Sequence, residues 1–298
     1  MRVSVVITTY NRAQFLQRAI ESALAAASDL EVIVVDDCST DNTPEVCADR
    51  SDIRYVRLNT NRGLSNARNA GIAESSSEFI AFLDDDDLRL PRSIDKQLRH
   101  IETDQRIAIC YGQALIGDAQ RQLPTGEIYP SECPEGDVFW ELLEDNFIPM
   151  PSVLARKSCL LDAGGFSTSL NLIEDWDMWL RLSEKFLFAA VAEPVAIHRK
   201  ANAGSDQMSS DSAALCKQAL RVQQMALART RAQAAARTQR RRVRSRLRNR
   251  TYEILMTEAT NLIHAGDAKS ARTKLLDAFR FRPFRAMASG RLPWLLIK

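Results

Sequence analysis

The first 87 residues alternate short β-branched runs with segments of helical period, and few folds accept that rhythm. Val3–Thr8 reads V-S-V-V-I-T, a continuous run of the kind found in strands buried on both faces. Ala13–Ala27 then places Phe15, Leu16, Ala19, Ile20, Ala23 and Leu24 at helical spacing. Glu31–Val35 is a second buried strand ending in Asp36-Asp37, followed by a loop over 38–42 and a helix to about Asp49. Ile53–Leu58 predicts a third strand, Leu64–Ala73 a helix and Glu78–Leu83 a fourth strand. Strands and helices in this order predict an α/β domain with a parallel sheet. Ligands of such sheets collect beyond the carboxyl ends of the strands. The polar clusters Thr8–Arg12, Asp36–Asp41 and Asp84–Asp87 fall there.

Beyond Pro91 the pattern predicts a helix to about Glu102 and a strand over Ile107–Ile116. Residues 117–137, with Pro124, Gly126, Pro130, Pro134 and Gly136, read as an irregular, mobile loop. Ser152–Ala155, Phe186–Val191 and Val195–Arg199 are late strands, with a helix over Asp175–Lys185 between the first two. From Ser212 the pattern is helical, broken near Gly266 and stopped at Pro283.

The net charge of +2 conceals two unlike halves. Residues 1–200 carry 20 Lys and Arg against 32 Asp and Glu, whereas residues 201–298 carry 20 against 6. An acidic body followed by a basic tail implies two tasks. No apolar run reaches the length of a spanning helix, and the strand-like start after Arg2 leaves no room for a secretory leader, so a cytoplasmic location is expected. Six scattered cysteines without a C-x-x-C pair predict reduced, mostly buried thiols.

Asp84-Asp85-Asp86-Asp87 directly follows a buried strand. Four adjacent carboxylates repel one another unless a cation neutralises them, and oxygen-only donors suit Mg²⁺ or Mn²⁺. An acidic surface turn is the other reading, and the position at a strand end weighs against it. No G-x-G-x-x-G follows the first strand and no G-x-x-x-x-G-K-[ST] occurs, which excludes a dinucleotide oxidoreductase and a P-loop ATPase.

Val5–Arg12 (V-V-I-T-T-Y-N-R), Val34–Asp41 (V-V-D-D-C-S-T-D), Asn61–Asn69 (N-R-G-L-S-N-A-R-N) and Phe79–Asp87 (F-I-A-F-L-D-D-D-D) together resemble the family 2 glycosyltransferases. Gly164-Gly165-Phe166 and Glu174–Arg181 (E-D-W-D-M-W-L-R) are similar to later motifs of that family. The resemblance covers roughly residues 3–200. It implies a GT-A nucleotide-sugar-binding domain over 1–205, with a mostly parallel central sheet, followed by a basic helical region over 206–298. It also implies inverting, metal-dependent transfer of a sugar from a nucleotide-sugar donor, a UDP- or dTDP-sugar, to an unidentified acceptor such as a glycan, a lipid-linked or a cell-surface polysaccharide precursor.

By the same resemblance Thr8, Thr9, Tyr10 and Arg12 line the donor pocket, and Asp37 accepts from the nucleotide base with Arg68 nearby. Asp84 faces the ribose or the metal, Asp86 holds Mn²⁺ or Mg²⁺ on the diphosphate, and Asp85 shares either task. Inversion needs a base across the sugar from the metal; Asp175 is the expected base and Glu174 its reserve. The alternative roles are ordinary ones: helix capping or turn formation for Asp37, a solvated helix arginine for Arg68, and acidic complements to the helix dipole for Glu174, Asp175 and Asp177. His198-Arg199 is left without an assigned role. A Q-x-x-R-W pattern is absent, which favours single additions over polymer extrusion. A metal-dependent nucleotidyltransferase and an inactive nucleotide-sugar-binding scaffold are the rival functions.

Between Arg221 and Arg250 the tail holds eleven arginines and no acidic residue. Residues 251–283 resemble one helix pair of a tetratricopeptide-like repeat. Anionic membrane is the first expected partner, with the apolar ending Leu292–Lys298 inserting at its surface; an acidic partner comes second and nucleic acid third, because no aromatic residue interleaves the arginines. Peripheral attachment to the inner face of the membrane follows from the first of these. A solvated helix face accounts for the same arginines equally well.

Overall fold

The computed structural model describes residues 1–118, 123–170, 172–199 and 212–282. The chain divides into two compact units, residues 1–142 with 146–202 and residues 203–298 with 143–145. The boundary expected at 205/206 lies outside the described residues.

In the first unit, β1 (Val3–Thr9) is buried at all seven residues because it lies inside the sheet and between layers. It runs parallel to β2 (Leu30–Asp36) on one side and β4 (Phe79–Asp84) on the other, and β3 (Arg54–Arg57) extends the parallel set beyond β2. The sheet order is β3-β2-β1-β4-β8-β6-β9-β5, with β7 (Pro124–Tyr129) paired to β6 (Ile107–Gly117). β8 (Leu154–Arg156) is antiparallel to both β4 and β6, so β6 and its parallel neighbour β9 (Leu187–Arg199) share the direction of β1 to β4. The result is an α/β fold with a mostly parallel central sheet. Its short edge strand β5 (Leu88–Arg89) pairs with β9.

Helices cover both faces. Leu16, Ala19, Ile20 and Ala23 of α1 (Ala13–Leu24) pack in one core with Val3, Val5, Ile7, Val32 and Val34. Val6 points the other way, towards α3 (Leu64–Glu74), where a Cβ on Gly71 would collide with its side chain. That contact requires glycine in mid-helix despite its helix-weakening effect. α2 (Thr43–Ala48), α4 (Ser93–Ile101), α5 (Phe139–Glu144), α6 (Lys157–Asp162) and α7 (Glu174–Ser183) complete the unit, α5 ending at the segment assigned to the second one.

Three differences from the sequence expectation have local causes. The stretch read as irregular contains β7, whose residues are almost all exposed, so no burial period marked it. The two late strands are one, β9, whose register skips between Val191 and Pro194. Proline cannot donate to the ladder, and a bulge absorbs the missing bond. The short elements β5, α5 and α6 fall below the length at which a period becomes legible. All six cysteines are free, four of them buried.

The second unit contains α8 (Ser212–Leu227), α9 (Thr230–Ala234), α10 (Arg237–His264) and α11 (Ala268–Phe281). Cys216, Tyr252, Leu255, Met256, Ala259, Leu275 and Ala278 form its core. Gly266, at φ +80°, turns the chain between α10 and α11, and Asp267 caps α11 by accepting from the Ser270 N–H at 3.0 Å. The helix pair expected over 251–283 is therefore the second half of α10 with α11. Pro283 and the apolar ending Leu292–Lys298 lie outside the described residues, as do residues 200–211. Among the described residues no helix is long and apolar enough to cross a membrane.

Candidate functional site

Strand register alone brings the polar residues together. Thr8 pairs with Val35 on one side and Asp84 on the other, and Thr9 pairs with Asp36. The turns beyond β1 and β2 then interlock. Asn11, at φ +54°, accepts from the Thr40 N–H at 2.7 Å, and its own N–H donates to Ser39 Oγ at 2.9 Å. Asp41 accepts from the Ala13 N–H at the start of α1 and from the Thr43 N–H and hydroxyl. Ser39 and Asp41 are thus occupied with turn and helix-end work, and Tyr10 is left exposed beside them.

Asp37 is buried, and its two oxygens accept from the N–H groups of Arg62 and Gly63 at 2.8 and 2.7 Å. The carboxylate expected at the nucleotide base therefore also fixes the loop that enters α3. Gly63 adopts φ +84° there, a conformation that suits glycine.

Arg68 is 3% exposed and bridges two carboxylates. One arm of its guanidinium contacts Glu174; the other donates to Asp84 Oδ1 at 2.8 Å and Oδ2 at 3.2 Å. Its face lies 5.5 Å from the centroid of the Phe166 ring. Burial opposes ionisation of Asp84, but the Arg68 charge outweighs it, with help from His198 and Thr8, and holds the carboxyl below its ordinary value. Far from being a solvated helix arginine, Arg68 ties the end of β4 to the start of α7.

The remaining aspartates meet cations from other elements. Arg12 donates to Asp86 Oδ2 at 3.0 Å and to Asp85 Oδ1 at 3.4 Å. Arg199, stacked 4.4 Å over the Phe15 ring, donates to Asp86 Oδ2 through Nε at 3.0 Å and Nη2 at 2.6 Å. Asp87 accepts from the Arg199 N–H at 2.8 Å and lies 3.0 Å from His198 Nδ1. The Asp87 charge raises His198 to about 9, which makes it an imidazolium near neutrality. Burial pushes Asp85 up to about 8, assisted by the Asp86 charge, and Asp87 up to about 6 against the pull of His198.

Asp175 occupies a different setting. The chain enters α7 through Ile173 at φ +53°, an uncommon conformation for a β-branched residue. Asn69 of α3 holds the preceding loop by reciprocal bonds to Phe166, accepting from its N–H at 2.8 Å and donating to its carbonyl at 2.9 Å. Glu174 is engaged by Arg68, whereas Asp175 is half-buried and accepts from Asn146 Nδ2 at 3.2 Å. Burial and then the Glu174 charge raise Asp175 to about 6. A carboxyl poised there is a good general base near neutral pH.

Thr8, Arg12, Arg68 and Asp84 to Asp86 are brought together by direct contacts, and Glu174 joins them through Arg68. Asp87, His198 and Arg199 also belong to this group, Asn146 joins Asp175 instead, and none of the four had a role assigned from sequence. For His198 and Arg199 a signal existed, a His-Arg pair at a strand end; Asn146 gave none. Among the described residues no three acidic, His or Cys side chains converge as a metal cage. A site in which one or two carboxylates hold Mg²⁺ or Mn²⁺ together with substrate phosphates needs no such cage, and Asp84 and Asp86, now held by arginines, would be its carboxylates.

The model of glycosyl transferase family 2 matches residues 4–159. An uncharacterized glycosyltransferase of Haemophilus influenzae is 30% identical over 187 residues, covering 61% of this chain and 62% of that protein. The succinoglycan biosynthesis protein ExoO of Rhizobium meliloti is 47% identical over 103 residues, 34% of this chain and 29% of that one. The chain therefore spans less than two thirds of the length of these relatives. Among solved structures, residues 1–349 of Staphylococcus aureus TarS in complex with UDP-GlcNAc align at TM-score 0.63 with 18% identity, covering 97% of this chain and 83% of that one. The mannosyltransferase PcManGT of Pyrobaculum calidifontis, in complex with GDP-Man and Mn²⁺, aligns at 0.59 with 16% identity, covering 100% and 81%. These likenesses show a GT-A type of fold. Since the family model matches more than half of the 298 residues, the chain belongs to glycosyl transferase family 2.

Proposed function

We propose that the protein is an inverting glycosyltransferase that moves a sugar from a nucleotide-sugar donor, a UDP- or dTDP-sugar, to a glycan, lipid-linked or cell-surface polysaccharide precursor. The observation that carries the reading is the division of carboxylates around Arg68: an arginine-held aspartate cluster on one side and Asp175, raised to about 6, on the other. Thr8, Thr9 and Tyr10 line the donor pocket, and Asp37 accepts from a ring N–H with the lone pairs left beyond its two backbone bonds. Arg12, Arg199 and the His198 imidazolium present positive charge where a diphosphate would sit. Asp86, with Asp84 and Asp85 beside it, would hold a Mn²⁺ or Mg²⁺ ion whose chemistry is to stabilise charge on the departing nucleoside diphosphate.

Asp175 accepts the proton of the acceptor hydroxyl as it attacks the face opposite the leaving group. Asn146 orients it, and Arg68 keeps the neighbouring Glu174 from competing for the proton. The enzyme acts in the cytoplasm at the inner face of the membrane, where the basic C-terminal region meets an anionic surface. A panel of nucleotide sugars with Mn²⁺, read by nucleoside diphosphate release, tests the activity. Release of pyrophosphate would make it a nucleotidyltransferase, and donor binding without turnover a scaffold.

A further inference from the structure

The buried row of α10, Val243, Leu247 and Thr251, recurs every four residues and divides the arginines of the helix into two flanks. Arg246 and Arg250 precede Leu247 and Thr251 by one residue, and within this unit they pair with Glu144 and Asp145. On the other flank Arg244 and Arg248 follow Val243 and Leu247 by one residue, and Arg237 and Arg241 continue the same line towards the N-terminus. Steps of four, three and four residues keep these side chains on one face, and the helical rise spreads them over about 16 Å. All four are exposed, and among the described residues no carboxylate pairs with any of them.

We infer that this row, Arg237-Arg241-Arg244-Arg248, is the surface by which the protein docks on the phosphates of an anionic lipid bilayer. The inference rests on the proposed setting at the inner membrane face and identifies the residues responsible. A straight row on one helix flank can meet a planar array of phosphates along its whole length. Nucleic acid would be served by stacking side chains, yet residues 221–250 contain no aromatic residue and Tyr252 is buried in the core. An acidic protein partner would want an apolar anchor amid the charges, and the intervening Thr238, Gln239 and Ser245 supply none. The charge division adds direction: the acidic residues 1–200 are repelled by an anionic surface while the basic region is attracted.

The experiment is sedimentation of the full chain with vesicles of phosphatidylglycerol and phosphatidylcholine, against phosphatidylcholine alone, at low and physiological salt. Nucleoside diphosphate release is measured in the same preparation. Arg241→Glu/Arg244→Glu is compared with Arg221→Glu/Arg242→Glu, which changes the charge equally at exposed positions off the row. The expected result is salt-sensitive binding to anionic vesicles, weakened about ten-fold by the first pair and less than two-fold by the second. Thermal melts monitor folding, and Gln replaces Glu should either pair unfold. The inference is overturned if the native chain ignores anionic vesicles, if both pairs weaken binding equally, or if a single-stranded oligonucleotide binds more tightly than vesicles at the same salt. Vesicle binding that follows the row without diphosphate release from any donor upholds the inference and overturns the transferase reading alone.

Discussion

Replacing Arg68 with alanine removes the cation held between Asp84 and Glu174. Arg68 is 3% and Glu174 5% exposed, so water cannot take over the lost partner. Removing one member of a buried ion pair costs about 3–5 kcal/mol, because the other charge stays behind without compensation. Asp84 retains 26% of its side-chain exposure, which places the expected cost near the lower bound, about 3 kcal/mol. In a unit of this size each kcal/mol moves the melting temperature by about 2–4 °C, so Arg68→Ala should melt about 6–12 °C below the parent. Circular dichroism melts near neutral pH measure this. Adding Glu174→Gln removes one stranded charge and should recover about 1–2 kcal/mol, a coupling that a double-mutant cycle isolates. The reasoning is refuted if Arg68→Ala melts within about 3 °C of the parent, or if the cycle shows no coupling. An unchanged melt combined with weakened donor binding would return Arg68 to the nucleotide pocket as a direct ligand.

Asp175→Asn should nearly abolish kcat while donor affinity stays close to that of the parent, as single-turnover and binding measurements would show. As the proposed base Asp175 would work ionised, so with its carboxyl at about 6 the parent's turnover should be level above that pH and fall as pH drops through it. Asn146→Ala removes a bond to the ionised carboxylate, so the acid limb of the pH profile should move upward; an unmoved limb would separate Asn146 from the base. Asp86→Asn should lower transfer by orders of magnitude at saturating Mn²⁺ with the fold retained, and parent-like turnover would remove Asp86 from the site.

The parallel half of the fold was legible because β1, β2 and β4 are buried on both faces and write continuous apolar runs. Their carboxyl ends then located the acidic cluster without further information. β7 escaped because its side chains are exposed, and β9 was divided because the Glu193-Pro194 bulge interrupts its run. The site was harder to read for another reason. Arg199 lies more than a hundred residues from Asp86, and Glu174 as far from Arg68, so these pairings depend on sheet order. Sequence reasoning expected a metal ion to offset four carboxylates. In the folded chain Arg12, Arg68, Arg199 and His198 already offset Asp84, Asp86 and Asp87, and burial keeps Asp85 protonated near neutrality by raising it to about 8.

That built-in neutralisation separates folding from metal supply. Where an ion is the sole counter-charge, its removal unfolds the site and every metal titration mixes binding with refolding. Here the guanidiniums and the imidazolium compensate the aspartates, so the body should keep its shape through purification in chelating buffer. Under the proposed function, a divalent ion held by Asp84 and Asp86 would take the place of side-chain cations there and leave them to face the donor phosphates. Loading would then be an exchange of counter-ions on a standing scaffold. A chelator should thus act as a reversible inhibitor, relieved by added metal with no refolding lag.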